Sequence, residues 1–266
     1  MIFQGSSGQT ARKEFEIEGV THMRLTQFKS RHFRHPTIIV ADVFSGTGTN
    51  EVGEEIVYGS PIRILNGYTR ARNSSKDVVF WFSDVRGSAC DMLRALINNR
   101  FGDLQNLTVE KAMASDSINM LGEMLHRFPD IFLYLVLDPN GPKDFPKHEV
   151  EDLLNAFSRR VDVVAYISAT AINRCIGARN KAGLEFKGWL GQIENFDQGF
   201  VSSLIANNRD GWIRKPAYGD PQKWTMLPTF GCMIPRNDWN KQGFVGLKTE
   251  EGREAVEYYC GGQNAD

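Results

Sequence analysis

The stretch from Thr37 to Asn50 reads TIIVADVFSGTGTN, an apolar run that ends in an acid and a glycine-rich segment. Residues 37–44 are almost continuously apolar rather than alternating, which predicts a β-strand buried on both faces of a parallel sheet. Gly46 and Gly48 follow it. Because glycine has no Cβ and tolerates positive φ, a Gly-x-Gly turn lets the backbone approach a ligand closely. The stretch predicts a strand and a ligand-binding turn, and an ordinary tight turn between strand and helix is the alternative.

Three further apolar runs, over residues 78–82, 131–137 and 161–167, predict strands of the same kind. Amphipathic patterns between and after them predict helices over residues 60–72, 88–99, 117–128 and 147–160. Ser60 is the expected N-cap of the first helix, with Pro61 in its first turn. Strands and helices that alternate in this way predict an α/β fold, with a mostly parallel, doubly wound sheet and helices on both of its faces.

The later part of the chain is less regular. We predict a helix over residues 200–205, a strand over 224–230, and a C-terminal helix over 249–259 that is capped by Thr249. Residues 206–223 are rich in turn residues and charges, which predicts a long surface loop. Residues 1–27 are assigned to an N-terminal extension, whose first 12 residues resemble the remnant of an expression tag, and residues 28–262 to a single domain.

The composition is that of a globular protein. In 266 residues the hydrophobic fraction is 41% and the charged fraction 24%, which excludes a disordered, collagen-like or coiled-coil chain. Lys and Arg number 31 against 32 Asp and Glu, so any nucleic-acid binding requires a local basic patch. The longest apolar run is too short to span a bilayer, and the N-terminus has no apolar signal segment. We therefore expect a cytoplasmic protein.

The four cysteines are far apart in the sequence. None lies in a CxxC motif or in a Cys/His cluster with the spacing of a metal site, so we expect neither a bound metal nor a disulfide framework. Free thiols in a reducing compartment are the expected state. These cysteines are Cys90, Cys175, Cys232 and Cys260.

Four acids stand at or after the predicted strands, namely Asp42, Asp84, Asp116 and Asp138. Ligands of an open parallel sheet bind at the carboxyl ends of its strands. Three of these acids also have a structural alternative: Asp84 and Asp116 as caps of the helices that follow, and Asp138 as the opening of a turn. Together the acids favour a ligand that carries hydroxyls, an exocyclic amine and a positive charge. S-adenosylmethionine has all three.

Three of the acids each suit one part of that cofactor. Asp84 is placed to accept hydrogen bonds from both ribose hydroxyls, as a strand-terminal acid does in nicotinamide-cofactor folds. Asp116 suits the adenine amino group, and Asp42, beside the glycine turn, suits the methionine amine. Glu51 stands where the third glycine of the dinucleotide fingerprint would be, and the turn has no Gly-Lys-Ser/Thr phosphate loop. No Gly-x-Ser-x-Gly motif is present, so a hydrolase triad is not indicated.

Several motifs resemble those of known proteins. Asp42-x-Phe44-x-Gly46-x-Gly48 resembles the first motif of Rossmann-like methyltransferases, especially those that act on nucleic-acid bases. Asp138-Pro139-Asn140-Gly141 stands where amino-methyltransferases carry Asp-Pro-Pro-Tyr. With Gly59-Ser60-Pro61 before a helix and Ala171-Ile172-Asn173-Arg174 after a strand, the ordered series is similar to the three-Cys-motif partner protein family, a methyltransferase-like group. The resemblance extends over about residues 28–260.

The resemblance implies a Rossmann-like methyltransferase fold and S-adenosylmethionine as cofactor. The residues that it implies for the cofactor are Asp42, Phe44, Gly46, Gly48, Asp84 and Asp116. It implies an exocyclic amine of a nucleic-acid base as acceptor, with Asp138, Pro139 and Asn140 as the catalytic residues. The Asp138 carboxylate and the Pro139 carbonyl would accept hydrogen bonds from the amine and localise its lone pair.

The catalytic motif departs from the family pattern at two positions. Gly141 replaces the aromatic residue that stacks on an extruded base, and Asn140 replaces the second proline. Three alternatives therefore stay open at this point. They are a methyltransferase for a small-molecule acceptor, a methyltransferase-fold module that binds a protein partner without catalysis, and a nicotinamide oxidoreductase, which Glu51 in place of the third glycine weakens.

Two basic segments are candidates for contacts with DNA or RNA. Residues 22–35 contain Arg24 and three further Lys or Arg residues without an acid, and a solvated helix face is the alternative. Residues 209–224 combine Arg214 and Lys215 with Trp212, a mixture that suits phosphate contacts and base stacking. An anchored surface loop is the alternative there. Asn173 and Arg174 are expected to line the acceptor pocket, or else to cap a helix.

Overall fold

The computed structural model of the protein describes residues 8–28, 33–52, 54–71, 77–139, 141–157, 159–166, 210–214, 229–231, 243–246 and 249–260. The chain divides between residues 135 and 136 into two compact units. No helix within the described ranges is both long enough and apolar enough to cross a membrane.

The first unit contains four helices and five complete strands. The helices are α1 (Gly8–Phe28), α2 (Ser60–Arg70), α3 (Gly87–Phe101) and α4 (Ala114–Arg127). The strands are β1 (Thr37–Asp42), β2 (Thr49–Val52), β3 (Glu55–Tyr58), β4 (Asp77–Asp84) and β5 (Leu107–Lys111). A further strand, β6 (Ile131–Leu137), begins in this unit and ends in the second.

The second unit continues from β6 with two helices and four strands among the described residues. A short 3-10 turn (Pro142–Asp144) precedes α5 (Lys147–Ala156), and β7 (Val161–Ala165) follows. The remaining elements are β8 (Asp210–Arg214), β9 (Thr229–Gly231), β10 (Phe244–Gly246) and α6 (Glu250–Cys260).

The sheet of the first unit has the strand order β6-β1-β4-β5. β1 runs parallel to β4, with Thr37 opposite Asp77, and β4 runs parallel to β5, with Phe80 opposite Leu107. Every residue of β1 after Thr37 is buried, as expected of a strand covered on both faces. The predicted parallel sheet is confirmed.

Helices cover both faces of this sheet. The ring of Phe80, on β4, packs against the ring of Tyr68 on α2, with centroids 5.1 Å apart. The Ser83 hydroxyl, also on β4, lies 2.8 Å from the Ser117 hydroxyl on α4. Successive strand residues point to opposite faces, so positions 80 and 83 face opposite sides. α2 and α4 therefore lie on opposite faces of β4, and the predicted doubly wound α/β fold is confirmed.

The second unit has the strand order β10-β8-β9-β7-β6, in which β9 is antiparallel to both β7 and β8. Phe230 of β9 lies opposite Val163 of β7 on one side and Gly211 of β8 on the other. β7 is buried throughout. A strand that comes later in the chain is thus inserted between two earlier ones.

α1 packs closely against α2, which the sequence analysis did not foresee for an N-terminal extension. A Cβ on Gly67 would lie 2.9 Å from the backbone oxygen of Glu18, so the two helices are in contact there. Arg63 and Arg70 of α2 form ion pairs with Glu18 at 3.0 and 3.1 Å. Burial by itself disfavours the Glu18 carboxylate, but the hydrogen bonds from α2 outweigh it and lower its pKa. Arg24, expected on a basic surface, is instead buried and lies over the Phe28 ring.

Several predicted boundaries need correction. Ser60 is the first residue of α2 and not its cap, because the N-cap position is Gly59. Met113, and not Asp116, is the N-cap of α4. Thr249 does cap α6, since its hydroxyl accepts a hydrogen bond from the Gly252 amide at 3.1 Å.

In the later part, the predicted loop over residues 206–223 is wrong at β8, which forms where two neighbouring strands supply hydrogen-bond partners. The strand predicted over 224–230 overlaps β9 by two residues, and residues 224–228 lie outside the described ranges. The helix predicted over 200–205 also lies outside them. β5 was not predicted.

Candidate functional site

The chain turns sharply after β1 through two glycines with positive φ, +56° at Gly46 and +77° at Gly48. Such backbone is strained for any residue with a Cβ. At Gly48 a Cβ would also lie 2.6 Å from Leu93 Cδ1 of α3, whereas a Cβ at Gly46 would have Arg86 Nη2 as its nearest neighbour, at 3.9 Å. Gly48 therefore allows the turn to pack against α3, and Gly46 leaves space above the turn.

The turn is fastened to the carboxyl end of β4. The backbone amide and the hydroxyl of Ser45 both donate to the Ser83 carbonyl, at 3.0 and 2.9 Å. The Gly46 amide donates to Asp84 Oδ2 at 3.0 Å. These bonds join the end of β1 to the end of β4, so the predicted residues Gly46 and Asp84 meet at one edge of the sheet.

Asp42 lies beneath this turn. It is completely buried, and its Oδ1 accepts a hydrogen bond from the Phe44 amide at 3.0 Å. The contact holds the start of the turn, and Phe44 itself is half-buried. The hydrogen bond to the Phe44 amide gives Asp42 a structural role in the turn. The contact of Asp42 with a methionine amine stays a prediction.

The Asp84 carboxylate receives four hydrogen bonds. Oδ1 accepts from the Arg86 amide at 2.8 Å and from Arg86 Nε at 3.0 Å. Oδ2 accepts from the Gly46 amide at 3.0 Å and from Arg86 Nη2 at 3.3 Å. The Asp84 side chain is 10% exposed and that of Arg86 is 63% exposed. The hydrogen bond to Asp84 raises the pKa of Arg86, so the guanidinium stays protonated and positively charged.

Two exposed apolar residues lie in the segments that directly follow β4 and β5. Val85 is 60% exposed and Met113 is 58% exposed. Val85 directly follows Asp84, and Met113 directly follows Ala112. The Ala112 amide donates to the Asp84 carbonyl at 3.2 Å, so the two segments are joined there. Exposed apolar side chains at adjacent strand ends can hold a flat apolar group between them. Sequence reasoning missed both Val85 and Met113, and also Arg86.

Asp116 lies apart from this set of contacts. It is exposed in the first turn of α4, where the positive end of the helix dipole stabilises a carboxylate. Its neighbour Ser117 is buried against Ser83. On the strand before α4, burial raises the pKa of the half-buried Glu110 carboxyl.

A hairpin of β2 and β3 separates the glycine turn from α2. The strands pair antiparallel, and the Gly59 amide donates to the Gly48 carbonyl at 2.8 Å, which closes the hairpin. Asn50 donates to Glu14 of α1 at 3.0 Å, and Arg100 of α3 donates to the Tyr58 hydroxyl at 2.9 Å. The turn therefore leads into a strand, and the alternative of a tight turn directly between strand and helix is wrong.

The predicted acceptor residues are only partly described. Asp138, which is half-buried, and Pro139, which is buried, directly follow β6. Asn140, Asn173, Arg174 and Lys215 lie outside the described residues. Trp212 and Arg214 lie on β8, opposite Gly246 and Phe244 of β10, so their predicted place in a surface loop is wrong.

Within the described ranges, no three His, Cys, Asp or Glu residues are grouped as a metal site would require. Cys90 is a buried free thiol, and its Sγ donates to the Glu110 carbonyl at 3.0 Å. Of the other cysteines, Cys175 and Cys232 lie outside the described residues, and Cys260 ends α6.

Comparisons with solved structures agree with this fold. Protein LPL1258 from Legionella pneumophila superposes with a TM-score of 0.52 at 12% identity, over 94% of each chain. An rRNA methylase from Streptococcus thermophilus gives a TM-score of 0.45 at 11% identity, over 81% of this chain and 95% of that one. A putative methyltransferase from Escherichia coli gives 0.39 at 11% identity, over 82% and 87%.

The likeness to the Legionella protein concerns the fold alone, because a sequence identity of 12% is far too low to carry an activity. No protein-family model matches the sequence, and no curated protein matches it either. The chain thus has an α/β fold like that of the Legionella protein. At its strand ends, the glycine turn is hydrogen-bonded to the Asp84 carboxylate.

Proposed function

We propose that the protein is an S-adenosylmethionine-dependent methyltransferase that acts on an exocyclic amine of a nucleic-acid base. The observation that carries the proposal is the hydrogen-bonded junction between the glycine turn and Asp84. In the first unit the chain runs outward from β1 to β4 and β5 and returns on the other side of β1 as β6. Open α/β sheets bind ligands where the strand order reverses in this way.

The side chains at the strand ends fit the cofactor. The Asp84 carboxylate suits a ribose diol, and the exposed Val85 and Met113 suit the two faces of an adenine ring. Gly46 allows a close approach of the ligand to the backbone. When bound, S-adenosylmethionine supplies an electrophilic methyl group on a sulfonium. The protein's part is to hold the cofactor and the acceptor in line, which accelerates a displacement strongly.

Two features argue against a nicotinamide dinucleotide. The diphosphate of a dinucleotide is bound by a helix that begins directly at the glycine turn, whereas here the turn leads into β2. The dinucleotide-binding fold also has the strand order 3-2-1-4-5-6, without a reversed insertion. In the second unit, β9 is inserted antiparallel between β7 and β8. S-adenosylmethionine, which has no phosphate, is the better match.

The acceptor assignment rests on the sequence motif after β6. Asp138, Pro139 and Asn140 are proposed to face the amine, with the Asp138 carboxylate and the Pro139 carbonyl accepting its hydrogen bonds. Such bonds localise a lone pair that is otherwise delocalised into the base. The order of the motifs also supports membership of the three-Cys-motif partner protein family, which we include in the proposal.

DNA or RNA is proposed as the substrate, in the cytoplasm. The support is the composition around β8, where Trp212 and Arg214 are followed by Lys215. Aromatic and basic side chains together provide base stacking and phosphate contacts. Asn173 and Arg174 are proposed to line the acceptor pocket. A small-molecule acceptor, or a binding module with a protein partner, is the competing function, and Gly141 in place of a stacking aromatic residue is the observation that favours it.

A methyl-transfer assay tests the proposal. The full chain is incubated with S-adenosylmethionine tritiated on the methyl group, together with mixed DNA and RNA, and radioactivity is counted in the nucleic acid. We expect label in the wild-type reaction, none with Asp138→Ala, and unchanged labelling with Asp144→Ala, an exposed acid in the nearby 3-10 turn. Cofactor binding without transfer to any nucleic acid would contradict the substrate and favour the competing function.

A further inference from the structure

The structure points to a role for Arg86 that goes beyond the proposed function and rests on it. We infer that the Arg86 guanidinium and the ribose diol of the cofactor compete for the same two positions on the Asp84 carboxylate. Arg86 is therefore an internal ligand of the diol site, and the cofactor displaces it on binding.

The geometry of Asp84 limits where a diol can bind. A carboxylate has about four acceptor positions on its two oxygens. Two are taken by backbone amides, those of Gly46 at 3.0 Å and Arg86 at 2.8 Å, which belong to the turns themselves. The other two accept from Arg86 Nε at 3.0 Å and from Nη2 at 3.3 Å, one on each oxygen. A ligand can bind Asp84 through two bonds only at the positions that the guanidinium holds.

The two donor groups are alike in chemistry. A guanidinium offers two parallel N–H donors to the two oxygens of a carboxylate. A cis-diol offers two O–H donors from adjacent carbons, at a similar spacing, to the same pair of oxygens. The diol therefore replaces the guanidinium bond for bond, and both cannot bind Asp84 at once.

Displacement of Arg86 from Asp84 costs little free energy because Arg86 lies at the surface. The Arg86 side chain is 63% exposed and returns to water when it leaves Asp84. Exposed ion pairs contribute about 0.2–1 kcal/mol, so the competition weakens cofactor binding by up to about fivefold. The Gly46 bond to Asp84 is not involved, and the glycine turn keeps its anchor during the exchange.

The experiment measures binding and not turnover. The dissociation constant of S-adenosylhomocysteine is measured calorimetrically for the wild-type chain, Arg86→Gln and Arg86→Lys. Arg70→Gln is the matched control, since the Arg70 side chain is 61% exposed and forms an ion pair with Glu18, away from Asp84. Adenosine and 2′,3′-dideoxyadenosine are then compared as ligands, because only adenosine carries the diol.

Competition predicts that Arg86→Gln binds S-adenosylhomocysteine and adenosine about two- to fivefold more tightly than wild type. Its affinity for 2′,3′-dideoxyadenosine should not change. Arg86→Lys, which keeps the charge but loses the planar fork, should also bind adenosine more tightly, and Arg70→Gln should match wild type.

An unchanged or weaker affinity of Arg86→Gln for S-adenosylhomocysteine would overturn the inference and leave the proposed function standing. Equal tightening for adenosine and the dideoxy compound would do the same, because the effect would then not depend on the diol. Absence of S-adenosylhomocysteine binding by both wild type and Arg86→Gln would overturn the proposed function together with the inference.

Discussion

Replacing Asp84 with alanine tests which hydrogen bonds hold the ends of β1 and β4 together. Replacement with alanine removes the acceptor of the Gly46 amide, of the Arg86 amide and of the Arg86 guanidinium at once. Of the described hydrogen bonds that join the glycine turn to the end of β4, those from Ser45 to the Ser83 carbonyl then remain. We expect both a loss of stability and a loss of cofactor affinity.

The size of the stability loss follows from which partners are buried. A donor left unsatisfied costs about 1–3 kcal/mol when it is buried, and the amide of the half-buried Gly46 falls in the lower part of that range. The Arg86 guanidinium is mostly exposed, so its ion pair adds only about 0–1 kcal/mol. We therefore expect Asp84→Ala to lower the free energy of unfolding by about 2 kcal/mol, or the unfolding temperature by about 4–8 °C.

The assay pairs thermal unfolding with calorimetric titration by S-adenosylhomocysteine. Asp91→Ala is the control, because Asp91 is an acid on α3 whose side chain is 76% exposed and pairs only at the surface with Arg94. Its stability should change by less than about 0.5 kcal/mol and its affinity not at all. Asp84→Ala should lose at least about tenfold in affinity, since hydrogen bonds to a charged acceptor are worth about 1.5–3 kcal/mol each.

Asp84→Ala refutes this reasoning if it unfolds at the wild-type temperature and binds S-adenosylhomocysteine with wild-type affinity. A stability loss without an affinity loss would leave Asp84 as the anchor of the turn and remove its predicted contact with ribose.

Three further predictions concern stability. Gly48→Ala should lower the unfolding temperature far more than Gly102→Ala, because both glycines have nearly equal positive φ but only a Cβ on Gly48 would collide with Leu93. The lowered pKa of Glu18 stabilises the folded state above pH 4.5, its ordinary pKa, and this stabilisation is lost as the pH falls through the folded-state pKa. In urea denaturation, the wild type should therefore be more stable than Glu18→Gln at neutral pH, and the difference in the free energy of unfolding should shrink in acid. The raised pKa of Glu110 has the opposite effect on stability, because burial destabilises the ionised carboxylate in the folded state. Glu110→Gln should therefore be more stable than wild type at neutral pH, and this gain should vanish in acid.

The buried strands of the first unit could be predicted because their sequences are continuously apolar. β6 begins and ends at the predicted residues, and β1 begins where expected. β5 escaped prediction because its sequence, LTVEK, is short and mixes polar with apolar residues. It lies at the edge of its sheet, where burial demands fewer apolar side chains. β8 escaped for another reason, since its turn-like sequence forms a strand only through pairing with β9 and β10.

The candidate site shows a similar division. The sequence was enough to place the glycines after β1 and Asp84 at the end of β4, where open sheets bind ligands, and their contact with a cofactor stays a prediction. The part played by Arg86 depends on how the backbone turns after β4, which brings residues two apart into bidentate contact. The hairpin of β2 and β3 was also missed, because a Gly-x-Gly turn after a buried strand usually precedes a helix.

Calorimetric titration of the wild-type chain with S-adenosylhomocysteine tests most directly whether these strand ends form a cofactor site. We predict saturable binding of one molecule per chain, which Asp84→Ala weakens at least about tenfold. Absence of saturable binding by the wild-type chain at concentrations up to about 1 mM, the weak end of specific affinity, would contradict the proposed cofactor and the methyltransferase function that depends on it.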